Sequence, residues 1–229
     1  IMVFVPGIGV YVSGAYRWLD FNFFVLQPSE FAKLALAIFL AAWFSNREKG
    51  RLLAFLLLLG LVLFLVVAEP DMGTAVIILS IALVMYFLSE APFWQIVGLI
   101  PLFAILGLIV AKLEPYRAQR LATFFDPNSS PQTYSYHVRQ ILIALGTGGL
   151  TGVGFGNSLQ KYAYLPESTT DSVFAIVAEE TGFIGSIFII GIYAFLVLIG
   201  FRIAAKTKDT FGKFLAAGIT TMIAVQAII

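Results

Sequence analysis

The chain has 229 residues, of which 60% are hydrophobic and 12% charged; with a mean hydropathy of +0.95 it lies well above the roughly 45 to 50% apolar share of soluble domains, which excludes a water-soluble fold. A formal net charge of +1 without any dense basic run gives no footing to a nucleic-acid binder, and the lack of Cys excludes disulfides and thiolate metal sites. What remains is an all-α polytopic membrane protein. Residue 1 is Ile and the chain closes on AVQAII, so both ends lie in apolar segments and the expectation is a fragment of a longer protein.

In chain order, Ile1 to Val12 reads as the tail of a spanning helix, followed by a polar loop, SGAYRWLDFNFFVLQPSE. Ser29 is the expected N-cap of a short span from Phe31 to Ser45, with Glu30 in its first turn. The loop NREKGR follows, and Leu52 to Ala68 spans back to EPDMG, where Pro70 stops the helix. Thr74 to Leu88 and Phe93 to Leu113 are two more spans around the turn SEAP. Residues 114 to 170 form one long mixed segment, in which Val138, Ile141, Leu142 and Leu145 have the spacing of a short helix lying in the membrane interface. Ser172 to Phe201 then spans, Arg202 to Lys213 is basic, and Phe214 to Ile229 is the last span.

Counting crossings puts NREKGR and the Arg202 to Lys213 segment on the same side. These two short connections carry seven of the 14 Lys and Arg, which places them in the cytoplasm and residues 114 to 170 outside, together with the Arg17 and Glu69 loops. A segment as long as 114 to 170 inside a compact protein is ordinarily functional. Its glycine run, GTGGLTGVGFGNS, lacks the closing Lys-Ser or Lys-Thr and the preceding strand of a phosphate-binding loop, so it reads as a close-packed turn.

The polar residues cluster around YLPESTTDSVFAIVAEETGFIG. Asp171 stands where a long apolar helix begins, and Ala175, Ala178, Gly182, Gly185 and Ser186 share its face, so that face is either a tight helix contact or the wall of a cavity. By spacing alone Asp171 reads equally as an N-cap or as a functional acid. Glu179 and Glu180 lie roughly 12 to 14 Å along the axis at about 1.5 Å per residue, where a carboxylate needs a partner or water. Glu30 and Lys33 are three apart and pair, with Lys33 expected to snorkel outward. Arg17, Arg117, Arg120 and Lys161 read as headgroup anchors or as a set of cations suited to an anionic ligand such as pyrophosphate. Glu69 and Asp71 read as caps of the following helix, with metal contact as the lesser alternative, and His137 as a structural residue.

The motifs RWLDFNFFVLQPSEFAK, EPDMGT, YRAQRLATFFDP, ALGTGGLTGVGFGNSLQK and YLPESTTDSVFAIVAEETGFIG, in that order, resemble the SEDS proteins (shape, elongation, division and sporulation), the group of FtsW and RodA. The likeness covers essentially the whole chain. It implies a fold of about ten transmembrane helices, of which residues 1–229 form a single truncated domain that includes the long exoplasmic loop. It also implies a peptidoglycan glycosyltransferase that polymerises lipid II at the outer face of the bacterial cytoplasmic membrane. The implied partners are a class B penicillin-binding protein and the divisome or elongasome. The family's essential acid falls on Asp171 and its acidic and basic pair on Glu30 and Lys33, with Arg17, Arg117, Arg120, Gln160, Lys161, Glu167 and Thr170 expected to contact substrate. Ser168-Thr169 departs from the His that many members carry before Thr-Asp, which leaves that His role unfilled. GNSLQK before YLPE leans toward FtsW and division over RodA and elongation. No covalent cofactor is expected, and a divalent cation, Mg or Mn, is the one candidate ligand besides substrate. A lipid II flippase and a non-catalytic membrane scaffold are the competing classes.

Overall fold

The computed structural model describes residues 3, 9–12, 15–20, 24–46, 52–113, 134–160 and 172–229. The chain folds as two compact units, Ile1–Ile96 with Tyr193–Ile229, and Val97–Ile192.

The first unit opens on a small sheet where the sequence reading had a helix tail and a loop. Strands β1 (Gly9–Val12), β2 (Ala15–Asp20) and β3 (Val25–Leu26) pair antiparallel in that order, with Gly9 opposite Leu19 and Leu19 opposite Leu26. Val, Tyr and Trp alternate through GVYV and AYRW around a two-residue Ser-Gly connection, which is a hairpin pattern and overrides the apolar content that looked helical.

Four helices of this unit pack together: α1 (Pro28–Ser45), α2 (Leu52–Ala68), α3 (Met72–Leu88) and, at the end of the chain, α7 (Thr210–Ile228). Pro28 occupies the first turn of α1, where its missing N–H costs nothing, so the helix starts before the expected Ser29 and its N-cap is Gln27. Ser29, Lys33, Leu36, Ala37, Leu40, Ala41 and Phe44 make one buried stripe at helical spacing. That stripe meets α3 and α7, and α3 also packs against α2. Small residues allow the close approach: a Cβ on Gly218 of α7 would run into Met85 of α3 and touch Ala37 of α1. At the other end of the stripe Phe44, Phe55, Tyr86 and Phe214 form an aromatic cluster, with Phe55 and Tyr86 stacked at 4.5 Å between ring centroids. Each such pair adds about 0.5 to 1.5 kcal/mol beyond its area burial.

The opposite faces of these helices are as apolar as the buried ones. Phe31, Leu34, Ile38 and Phe39 of α1 and Leu53, Leu57, Leu61 and Phe64 of α2 are exposed. In water such patches would far exceed the few hundred Å² that soluble monomers tolerate. Hydrocarbon is the solvent they fit. Helices α1, α4 (Phe93–Leu113), α6 (Val173–Lys206) and α7 are long and apolar enough to cross a membrane, and α2 and α3, with 17 residues each, reach the short end of the spanning range of about 17 to 25.

In the second unit, α5 (Tyr134–Gly148) supplies the helix expected from the Val138 to Leu145 spacing, and it runs into the glycine turn. Helix α6 does not run straight. At 34 residues it would be about 51 Å long at 1.5 Å per residue, and it breaks at Gly182, whose φ of 68° and ψ of −166° lie in a region open only to glycine.

Candidate functional site

In the first unit the polar residues collect where the N-terminus of α1, the turn between α2 and α3, strand β2 and the last turn of α7 come together. Asp71 caps α3: its Oδ1 accepts from the Thr74 N–H at 3.0 Å, and its Oδ2 accepts from the Thr74 hydroxyl at 2.7 Å and from the Gln27 amide at 3.1 Å. The capping role read from EPDMG therefore belongs to Asp71. Arg17, carried in by β2, donates from Nε to the Glu69 carbonyl at 3.0 Å and from a terminal nitrogen to the Pro70 carbonyl at 2.7 Å. Two faces of its guanidinium fork thus hold the turn backbone, whose carbonyls have no helix to receive them. Glu69 is itself 7% exposed; burial raises its carboxyl pKa, Asp71 adds to the rise and Arg17 opposes it.

One turn into α1 lies the ion pair. Lys33 Nζ donates to Glu30 Oε1 at 2.8 Å and to Gln226 Oε1 of α7 at 3.0 Å. Lys33 does not snorkel as expected. Its side chain is 2% exposed and that of Glu30 46%, so the ammonium is sunk and the carboxylate is the accessible partner. An acidic first-turn residue also suits the positive end of the α1 dipole. Ser29, beside the pair in sequence, is buried, and among the described residues its hydroxyl has no hydrogen-bond partner.

In the second unit the small-residue face of α6 turns out to be a contact and not a cavity wall. Ala175 and Ala178 are buried, Ala175 together with Ala144 of α5, and a Cβ on Gly148 would strike the Ala178 carbonyl. The break at Gly182 frees backbone groups that the glycine turn satisfies. The Val153 and Gly154 N–H groups donate to the Glu179 and Glu180 carbonyls, and the Phe183 and Ile184 N–H groups donate to the Gly149 and Leu150 carbonyls, all between 2.9 and 3.2 Å. The glycine run is thus a backbone clasp, which accounts for its composition without any phosphate. Beside it the buried Glu179 carboxylate accepts from the hydroxyls of Ser158 and Thr147, the partners that a membrane-embedded acid requires. Gln160 is also buried, and among the described residues its Oε1 has no partner.

Asp171, Lys161, Glu167, Thr170, Arg117 and Arg120 lie outside the described residues. At the start of α6 the Ser172 carbonyl accepts helical bonds from the Ala175 and Ile176 N–H groups. Reasoning from sequence passed over Gln226, Gln27, Ser158 and Thr147. A lone Gln in the apolar run IAVQAII was the signal for the first, since intramembrane polar residues are used; nothing local marks the other three. Among the described residues no three His, Asp or Glu side chains converge, and both Asp71 oxygens are engaged in hydrogen bonds.

The sequence was compared with known proteins. The model of the cell cycle protein family FtsW, RodA and SpoVE matches residues 1–229. Stage V sporulation protein E of Bacillus subtilis is 38% identical over 100% of this chain and 64% of its own length. A probable peptidoglycan glycosyltransferase FtsW of Thioalkalivibrio sulfidiphilus is 39% identical over 100% of this chain and 60% of its own. The chain thus spans about three fifths of the length of these relatives. Among solved structures, one chain of a peptidoglycan synthase complex superposes with a TM-score of 0.72 at 26% identity, covering 96% of this chain and 63% of that one. The rod shape determining protein RodA of Thermus thermophilus superposes at 0.63 with 24% identity, covering 99% and 60%, a likeness of fold.

Proposed function

The chain belongs to the FtsW, RodA and SpoVE family of cell cycle proteins, multi-pass membrane proteins, and from that premise we propose that it is the greater part of a peptidoglycan glycosyltransferase of the bacterial cytoplasmic membrane. The observation that carries this reading is the 39% identity, along the whole of this chain, to a relative named for that activity. Lipid II is the proposed substrate, a class B penicillin-binding protein the proposed partner, and division the proposed setting, since relatives at this level are named FtsW.

In the proposed reaction Asp171 takes the proton from the 4-hydroxyl of the acceptor sugar. The oxygen attacks the anomeric carbon of a second lipid-linked saccharide, inverting it, and the bond to undecaprenyl pyrophosphate breaks with its electron pair leaving on the pyrophosphate. Lys33 and Lys161 offset the charge that develops there. Arg17 contributes through the turn it holds, and no step is routed through a metal. With NREKGR in the cytoplasm, the Glu30 and Lys33 end of α1 faces outward, where lipid-linked saccharide is polymerised.

Full-length protein purified in detergent with its partner and lipid II tests the reading. Glycan strands are the expected product; a flippase or a scaffold would make none without a sealed bilayer, and an empty gel with correctly folded protein would sink the proposal.

A further inference from the structure

The Lys33 geometry asks for more than an i,i+3 ion pair explains. An ammonium on a four-carbon stem near a helix end ordinarily carries its charge outward. This one is turned inward, its side chain 2% exposed against 46% for Glu30. What covers it is Gln226, an exposed residue in the last turn of α7, at 3.0 Å and 193 residues further along the chain. Because an ammonium only donates, the amide oxygen must be the atom that faces it, which leaves the amide NH2 on the other side of the group. Three N–H donors belong to the ammonium; Glu30 Oε1 and Gln226 Oε1 accept two of them, and among the described residues the third has no acceptor. A neutral acceptor also holds the cation without neutralising it, which a second carboxylate would not do.

Building on the glycosyltransferase reading, we infer that Gln226 is a positioning residue of the polymerase site. It holds the Lys33 ammonium inboard of Glu30, so that the third N–H, flanked by the Gln226 amide NH2, is presented to an anionic oxygen of the lipid-linked pyrophosphate. Without Gln226, Lys33 follows Glu30 to the surface and pairs there as any exposed neighbours do. The seat then loses its cation while the helices remain packed.

Two variants of the full-length protein, in detergent with its partner, test this. The readouts are the rate at which a water-soluble acylating reagent modifies the Lys33 amine, followed by peptide mass, and the kinetics of glycan formation from lipid II. Q226M keeps the length and removes the acceptor: Lys33 acylation should speed up about tenfold and kcat/KM fall by about ten- to a hundredfold, as for loss of a charge-assisted hydrogen bond. Q226E keeps the acceptor and adds a charge: acylation should stay as slow as in the wild type while KM rises about tenfold, a split that a packing role does not produce. Wild-type acylation and kinetics in Q226M overturn the inference, and should Q226M not fold, a wild-type KM in Q226E overturns it equally. A wild type that makes no glycan removes the polymerase reading and this role with it, whereas an active wild type matched by Q226M removes only the role of Gln226.

Discussion

Glu69 shows at the scale of one residue how burial is traded against charge. Its pKa is raised above the ordinary 4.5, chiefly by desolvation, so folding favours its protonated form. The stability it contributes is complete below pH 4.5 and is lost as pH rises through the higher folded value. Glu69→Gln should therefore raise the melting temperature at neutral pH and flatten its dependence on pH above 4.5; an unchanged pH profile would contradict this. Arg17 gains its worth in another way, through two charge-assisted bonds to the Glu69 and Pro70 carbonyls. Arg17→Met, which keeps the stem and removes the donors, should cost about 2 kcal/mol in denaturant unfolding, and a loss below a few tenths would show that the turn holds itself. Both carboxylates of EPDMG were legible as cap candidates, and Asp71 is the cap. The fate of Arg17 was not legible, because a guanidinium in a loop looks the same in sequence whether it faces a phosphate or a carbonyl 52 residues away.

At the scale of elements, the break in α6 is the feature with the sharpest consequence. At Gly182 any Cβ would collide with the Leu150 carbonyl and the Gly152 nitrogen, and its backbone angles strain every other residue. Gly182→Ala should destabilise the second unit by about 3 kcal/mol or more, the sum of about 1 to 3 for the backbone and the loss of clasp bonds. Hydrogen exchange would register it as faster exchange at Val153, Gly154, Phe183 and Ile184 and not in α1; uniform protection across these amides would refute the clasp. Apolar content located α2 and α4 to the residue, because each is an almost unbroken apolar run between turn residues that the single Pro101 inside α4 does not end. It ran through Gly182 without pause, since a glycine inside an apolar helix is compatible with a straight span as well as a broken one. The opening sheet is hidden for the opposite reason: the apolar content of residues 1–12 masks the β-branched and aromatic residues and the Ser-Gly turn that carry the strand signal.

For the whole molecule, composition alone decides that hydrocarbon surrounds it, and the outward Phe, Leu and Ile side chains of α1, α2 and α6 bear this out. Orientation rests on charge density, and the lack of Cys makes it measurable. In a cysteine-free full-length background, a membrane-impermeant maleimide applied to intact cells should modify Phe155→Cys, placed at an exposed position of the glycine turn, and spare Asn46→Cys and Lys208→Cys. The reverse pattern would put the Glu30 and Lys33 end of α1 on the wrong side of the membrane for the proposed chemistry.

All of the proposed chemistry passes through one acid, and its replacement is the most direct measurement. Glycan formation from lipid II should fall by about 10² to 10⁴ in Asp171→Asn relative to the wild type, as expected for removal of a general base, with partner binding and melting temperature retained. Strands of normal length and yield from that variant would contradict the account at its centre.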